Sequence, residues 1–131
     1  MSKRKGSSII FHNSLQQVLL FLRDNIPDIP YPNMWDVPGG HVEAGESPQQ
    51  CIIREMKEEM DLDLSAPQLF SVIEFDDRIE YTFSRKADLV IPDINLMEGQ
   101  MLRWFTREQA KNTVLAYGFN GIVERFYSAL G

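Results

Sequence analysis

Apolar positions first come in two short runs, SSIIF (residues 7–11) and the VLLFL of QQVLLFLRD (16–24), separated by the polar turn His12-Asn13-Ser14. Runs this brief, built of β-branched and aliphatic side chains, predict two strands. Prolines at 27, 30 and 32 exclude both helix and central strand from NIPDIPYPN, which predicts an exposed connection. MWDVPGGHVEAGE (34–46) then reads as a short extended segment running into a glycine-bearing loop. At Ser47 the period changes. Ser47 can cap a helix, Pro48 suits the first helical position, and Gln50 stands where a capping box places its amide. Ile52, Met56 and Met60, with Ile53 beside them, recur at helical spacing, so a helix is predicted over residues 48–60 with Glu55, Glu58 and Glu59 off the apolar stripe.

Further on, LFSVIEF (69–75) and IEYTFSRKADLVI (79–91) flank a polar DDR and predict paired strands, and MLRWF (101–105) predicts another. TREQA (106–110) opens a short helix, and NGIVERFYSAL (120–130) forms a C-terminal one with Ile122, Phe126, Tyr127 and Leu130 on its inner side. Strands and helices mixed in this order predict an α/β or α+β sandwich. The basic residues 1–6 are expected to be a flexible leader, and residues 7–131 one folded unit.

Composition narrows the compartment and the partners. A chain of 131 residues suits one domain that buries roughly two-thirds of its unfolded surface. Cys51 is the sole cysteine, so no intramolecular disulfide forms, which fits a reducing cytoplasm. IIF, the apolar run behind the basic start, is far too short for a signal core or a membrane span. With 19 acidic against 13 basic residues the formal charge is −6, which argues against duplex nucleic acid as a partner. Acidic sites still bind polyphosphates through a divalent metal. The oligomeric state is left open, a homodimer included.

Glu55, Glu58 and Glu59 stand at i, i+3 and i+4, so their carboxylates converge on one side of the helix. Like charges so placed cost a few tenths of a kcal/mol per pair, about 0.2–0.5. A solvated acidic face is the plain reading of such a stretch. The alternative is that hard oxygen donors at this density hold Mg²⁺ or Mn²⁺, with water and substrate phosphate completing the coordination.

From Gly40 the chain reads glycine, five residues, Glu46, seven residues, then Arg54-Glu55-Met56-Lys57-Glu58-Glu59, with Leu62 closing the stretch. It resembles the Nudix box, G-x5-E-x7-R-E-U-x-E-E-x-G-U with U a bulky aliphatic, and eight of its nine fixed or class positions match. Asp61 replaces the final glycine, at a position where the family's residue turns the chain out of the helix with positive φ. W-x-x-P-G-G (Trp35–Gly40), the strand order and the Glu98–Phe105 segment extend the resemblance over most of the chain. The family implies an α/β/α sandwich with a mixed sheet between helices, and hydrolysis of a nucleoside diphosphate linked to another moiety with Mg²⁺, or Mn²⁺, as cofactor.

Carried over residue by residue, the resemblance makes Glu55, Glu58 and Glu59 the helix ligands, Gly39 the backbone-carbonyl ligand and Glu98 the loop acid. Glu46 and Arg54 brace the loop against the helix, with Arg54 counted in the catalytic group and Gly40 in the support of the box. Glu59, Glu55 or Glu98 serves as general base. Arg23, at the end of the second predicted strand, is read as a phosphate contact, since a guanidinium forks onto two oxygens, or else as a surface arginine paired with Asp24 or another acid. Val37 is assigned to the substrate. Small size, the EGQ segment and Asn120 at the start of the last helix resemble the MutT-like nucleoside triphosphate pyrophosphohydrolases. Asn120 then either reads a base edge or caps the helix. Trp35, Tyr117 and Phe119 stack on a base or belong to the core. The rivals are a diadenosine polyphosphate hydrolase, with Tyr81 as its stacking residue, a nucleotide-sugar hydrolase of the ADP-ribose type, and a non-catalytic nucleotide-binding module of the same fold.

Overall fold

The computed structural model describes residues 3–131. Strands β1 (Arg4–His12) and β2 (Val18–Leu22) are almost continuously apolar because both faces of the sheet are covered. Ile9, Phe11, Leu19 and Phe21 point to one side, and Ile10, Val18 and Leu20 to the other. Helix α1 (Pro48–Met60) covers the first side with Ile52, Met56 and Met60. The short α2 (Arg107–Lys111) and the C-terminal α3 (Asn120–Leu130) cover the second with Ala110, Ile122, Val123, Phe126 and Tyr127. The expected α/β/α sandwich is thus the observed one.

The remaining strands are β3 (Trp35–Asp36), β4 (Gly39–His41), β5 (Gln68–Glu74), β6 (Arg78–Lys86) and β7 (Met101–Phe105). Their order is β3-β2-β1-β6-β5, with β4 also on β1 and β7 also on β2. β1 and β6 run parallel from Arg4↔Arg78 to His12↔Lys86, while the other pairs are antiparallel, so the sheet is mixed. β1 and β2 meet only at His12↔Val18 and then diverge. β4 takes the free edge of β1 at Gly6–Ser8, and β3 takes that of β2 at Phe21–Leu22. That splay opens the space in which the site lies.

Local chemistry sets the helix ends as expected. Ser47 Oγ accepts from the Gln50 N–H at 3.1 Å and Gln50 Oε1 accepts from the Ser47 N–H at 2.8 Å, a capping box worth about 1 kcal/mol. Asp61 ends α1 in the left-handed region at φ 52°, where its N–H reaches the Lys57 and Met56 carbonyls. Three expectations change. Arg4–Gly6, assigned to a flexible leader, are the first residues of β1 and pair with Arg78–Glu80; Met1 and Ser2 lie outside the described residues. The apolar ADLVI does not extend β6, which stops at Lys86, and its Ile91 opens the 3-10 turn Ile91–Asp93 around Pro92. Leu130, expected on the inner side, is the last residue of α3 and is 41% exposed. Among the described residues no helix is long and apolar enough to cross a membrane.

Candidate active site

A cleft of about 550 Å³ opens where β1 and β2 separate, walled by the start of β1, the β3–β4 segment, one face of α1 and the segments around Glu98 and Tyr117. Its acidic end is organised by Arg54. Arg54 Nε donates to Glu46 Oε2 at 2.6 Å and Nη2 to Glu46 Oε1 at 3.0 Å, a two-point fork across the loop–helix junction. Nη2 also reaches the His41 carbonyl, and Nη1 donates to Glu55 Oε1 at 2.9 Å and Glu58 Oε2 at 3.1 Å. These bonds hold the Glu46 carboxyl down at about 2 and raise Arg54 above its ordinary value. The bracing expected of Glu46 and Arg54 is therefore present in atomic detail.

Glu59 lies deeper. Burial, then the neighbouring Glu55 and Glu98 carboxylates, push its pKa far above the usual carboxylate range. Glu98 arrives from a distant segment that is tied down by backbone bonds. The Met97 N–H donates to the Glu59 carbonyl at 2.7 Å and the Gln100 N–H to the Leu22 carbonyl at 2.8 Å. Of the two glycines of the PGG segment, Gly39 is demanded by space because backbone lies against it, whereas a side chain at Gly40 would have to displace the Glu55 carboxylate. A Cβ on Gly40 would stand 2.3 Å from the Glu55 carboxyl carbon, and one on Gly39 would stand 2.2 Å from the Ser7 carbonyl oxygen.

Among the described residues no three acids are drawn together closely enough to hold an ion, and Arg54 bonds the Glu58 carboxylate and one oxygen of Glu55. The donor set nonetheless fits a hard divalent cation. A buried carboxyl crowded by two others is relieved by positive charge, and all the donors are oxygens.

Beyond the acids the cleft is lined by two ion pairs whose carboxylates, Asp36 and Glu80, are buried. Arg23 Nη1 donates to Asp36 Oδ2 at 3.2 Å and its Nε to the Pro30 carbonyl at 2.9 Å. Arg23 thus lines the cleft, paired with an acid other than Asp24. Burial lifts Asp36 to about 7 against the pull of Arg23 and of the Val37 N–H. Arg78 Nε donates to Glu80 Oε1 at 2.7 Å and its Nη2 to the Tyr117 carbonyl at 3.1 Å. Burial also raises Glu80, opposed by Arg78 and Ser8. Asp36, Arg78 and Glu80 are absent from the sequence reading. A signal existed for the last two: Arg78, Glu80 and Thr82 alternate on one side of β6, and all three are buried.

Val37, Tyr117 and Phe119 line the cleft, with Val37 and Phe119 also part of the core. Trp35 packs edge-on against Phe105, and Tyr81 packs beside the α1 core; neither lines the cleft. Asn120 is not brought to the acids either. Its Oδ1 accepts from the Leu115 N–H at 2.8 Å, and its Nδ2 donates to the Thr113 carbonyl at 2.7 Å and the Ala110 carbonyl at 3.3 Å. Its amide thus bonds the α2–α3 connection, and α3 has no side-chain cap.

An acid-lined cleft behind a glycine turn and a braced helix, on an α/β/α sandwich, defines a Nudix-type domain. The NUDIX domain model matches residues 2–126, and the chain belongs to that family. A Bacillus subtilis relative is 40% identical over 55 residues, 42% of this chain and 33% of that protein. The Escherichia coli 8-oxo-dGTP diphosphatase is 36% identical over 64 residues, 49% of this chain and 45% of that protein. The matched stretch thus spans less than half of these relatives' length. A solved MutT structure, from work on the Aliivibrio salmonicida and Vibrio cholerae proteins, superposes with a TM-score of 0.78 at 26% identity, covering 98% of this chain and 99% of that one.

Proposed function

We propose that the protein hydrolyses the diphosphate linkage of a nucleoside diphosphate derivative with Mg²⁺ or Mn²⁺, as a MutT-like (d)NTP pyrophosphohydrolase releasing nucleoside monophosphate and pyrophosphate. The observation that carries this reading is the convergence of Glu55, Glu59 and Glu98 at one end of the cleft. Glu55, Glu58, Glu59, Glu98 and the Gly39 carbonyl would hold the metal. A divalent ion in such a site neutralises phosphate charge, polarises phosphoryl oxygens and makes bound water more acidic. Arg54 acts through Glu46 and the helix acids and keeps them in place until they are needed for ligation. One of Glu55, Glu59 and Glu98 takes the proton that water sheds as its oxygen bonds to phosphorus and the bridging P–O bond breaks. Arg23 and Val37 face the rest of the substrate.

The triphosphate preference is supported by the 8-oxo-dGTP diphosphatase relative, which makes 8-oxo-dGTP the first compound to test beside the ordinary triphosphates and ADP-ribose. The diadenosine polyphosphate reading loses support, because Tyr81 lies outside the cleft. Cytoplasmic location remains part of the proposal, on the strength of the single, buried cysteine. Glu58→Gln and Glu59→Gln should each cost on the order of 10²-fold or more in kcat for the best triphosphate, with circular dichroism unchanged. Rates equal to wild type in both variants would overturn the assignment.

A further inference from the structure

Two tyrosines beside the Arg23–Asp36 and Arg78–Glu80 pairs, one lining the cleft and one outside it, stand in a conformation that bulky residues seldom adopt. Tyr31, in the proline-rich connection, has φ 51°, and Tyr117, in the 3-10 turn before α3, has φ 57°. Positive φ at a large side chain is a genuine outlier, and such residues gather where a ligand is handled. These two are in contact: their ring centroids are 4.5 Å apart and the planes are inclined by 58°. Tyr117 lines the cleft, whereas Tyr31 is 43% exposed.

Each segment is held to a cleft arginine. Arg23 donates to the Pro30 carbonyl, next to Tyr31, and Arg78 donates to the carbonyl of Tyr117 itself. The two guanidiniums flank the Tyr117 ring at 5.4 and 5.5 Å from its centroid. Both are fixed by carboxylates, Asp36 and Glu80, so the ring is held against a rigid polar wall. Tyr117 also packs against the core, but Tyr31 is exposed and belongs to neither core cluster, so neither phosphate chemistry nor packing calls for it to lie on a cleft tyrosine. A third ring does not fit between them, since it would need two carbon–carbon contacts of about 3.5 Å each.

We infer that Tyr117 is the stacking platform for the aromatic base of the substrate, and that Tyr31 occupies this platform in the free protein and is displaced when the base enters. The inference rests on the nucleotide reading given above and adds the residues that recognise the nucleoside. Stacking is tolerant of base identity, because every base offers a π face. It follows that Tyr117 sets the preference for a nucleotide over a base-free phosphate, rather than the choice among bases.

Titration calorimetry on the whole chain with Mg²⁺ tests this directly, with the four nucleoside 5′-monophosphates and ribose 5-phosphate as probes. Tyr117→Leu should reduce the ratio of nucleotide affinity to ribose 5-phosphate affinity by about tenfold or more, the effect of one lost base–aromatic stack. Tyr117→Phe should keep it. Tyr31→Ala should tighten nucleotide binding several-fold, because the competing ring is gone. An undiminished ratio in Tyr117→Leu, with Tyr117→Phe confirming a sound fold, would overturn the platform. Weaker nucleotide binding in Tyr31→Ala would overturn the displacement, as would a wild type that binds nucleotides no better than ribose 5-phosphate. These readouts are independent of turnover. A wild type that shows the stacking pattern but hydrolyses no nucleotide would refute the proposed reaction and leave the platform standing.

Discussion

Asp61 bears the local cost of departing from the family's glycine. With φ at 52° it sits where an L side chain crowds its own backbone, though a short polar one less than most. Its carboxylate recovers a small part of that cost by pairing with Lys57 at 3.0 Å, an exposed i,i+4 contact that water and salt screen. Asp61→Gly should therefore stabilise the fold by up to about 1 kcal/mol less that pair, read as a small rise in Tm with kcat unchanged. A fall in Tm would show that the Lys57 contact outweighs the strain. Asn120 gives the opposite forecast. Its amide joins three backbone groups of the α2–α3 connection, so Asn120→Ala should cost about 1–3 kcal/mol of stability. Ratios of kcat/KM among purine triphosphates should stay put, and a collapse of those ratios would return Asn120 to the substrate.

Between elements, the firmest link is the Glu46–Arg54 fork that joins the glycine loop to α1. Glu46 titrates at about 2 in the folded chain, below its ordinary 4.5. A carboxyl depressed on folding contributes stability that is present above its unfolded pKa and lost as the pH falls through the folded one. The Tm advantage of wild type over Glu46→Gln should accordingly shrink as pH drops from about 5 toward 2, and a constant advantage would place the contribution elsewhere. Helix α1 was legible from the sequence to the residue, because its determinants are local: a capping box, a first-turn proline and an apolar stripe. The start of β1 was not. Arg4, Lys5 and Gly6 carry no strand pattern and are extended because β6 supplies a partner for their backbone. Residue type told which side chains were polar, but the turn of the Asn120 amide away from the cleft depends on which carbonyls tertiary packing leaves unpaired.

At the scale of the whole molecule, the acids come together only because separate parts of the chain meet. Glu55 and Glu59 were legible as a helical cluster, and Glu98 through the family's pattern, yet the roles of Arg78, Glu80 and Asp36 emerged when β6 and β3 set them around one cleft. The raised pKa of Glu59 carries a global consequence. A carboxyl whose pKa is raised on folding contributes stability present below its unfolded value and lost as pH rises toward the folded one, so without metal Glu59 weakens the fold as pH rises. Binding of a divalent ion should reverse this. At a hundredfold excess over Kd the expected gain is about 2.7 kcal/mol, seen as a rise in Tm that chelation abolishes and that Glu59→Gln lacks. No rise with either Mg²⁺ or Mn²⁺ would count against a metal site.

The parallel pairing of β1 with β6 has a further implication for how the molecule is made. Ser8 and Thr82, whose hydroxyls meet at 2.9 Å in the middle of the sheet, are 74 residues apart. During synthesis the first strand leaves the ribosome long before its central partner exists, with Ile9, Ile10 and Phe11 bare and one hydrogen-bonding edge open. Contacts of such long sequence separation form slowly, and the nascent strand stays adhesive until residue 86 has been added. The charges of Arg4 and Lys5 at its exposed end are then its guard against pairing with a neighbouring chain.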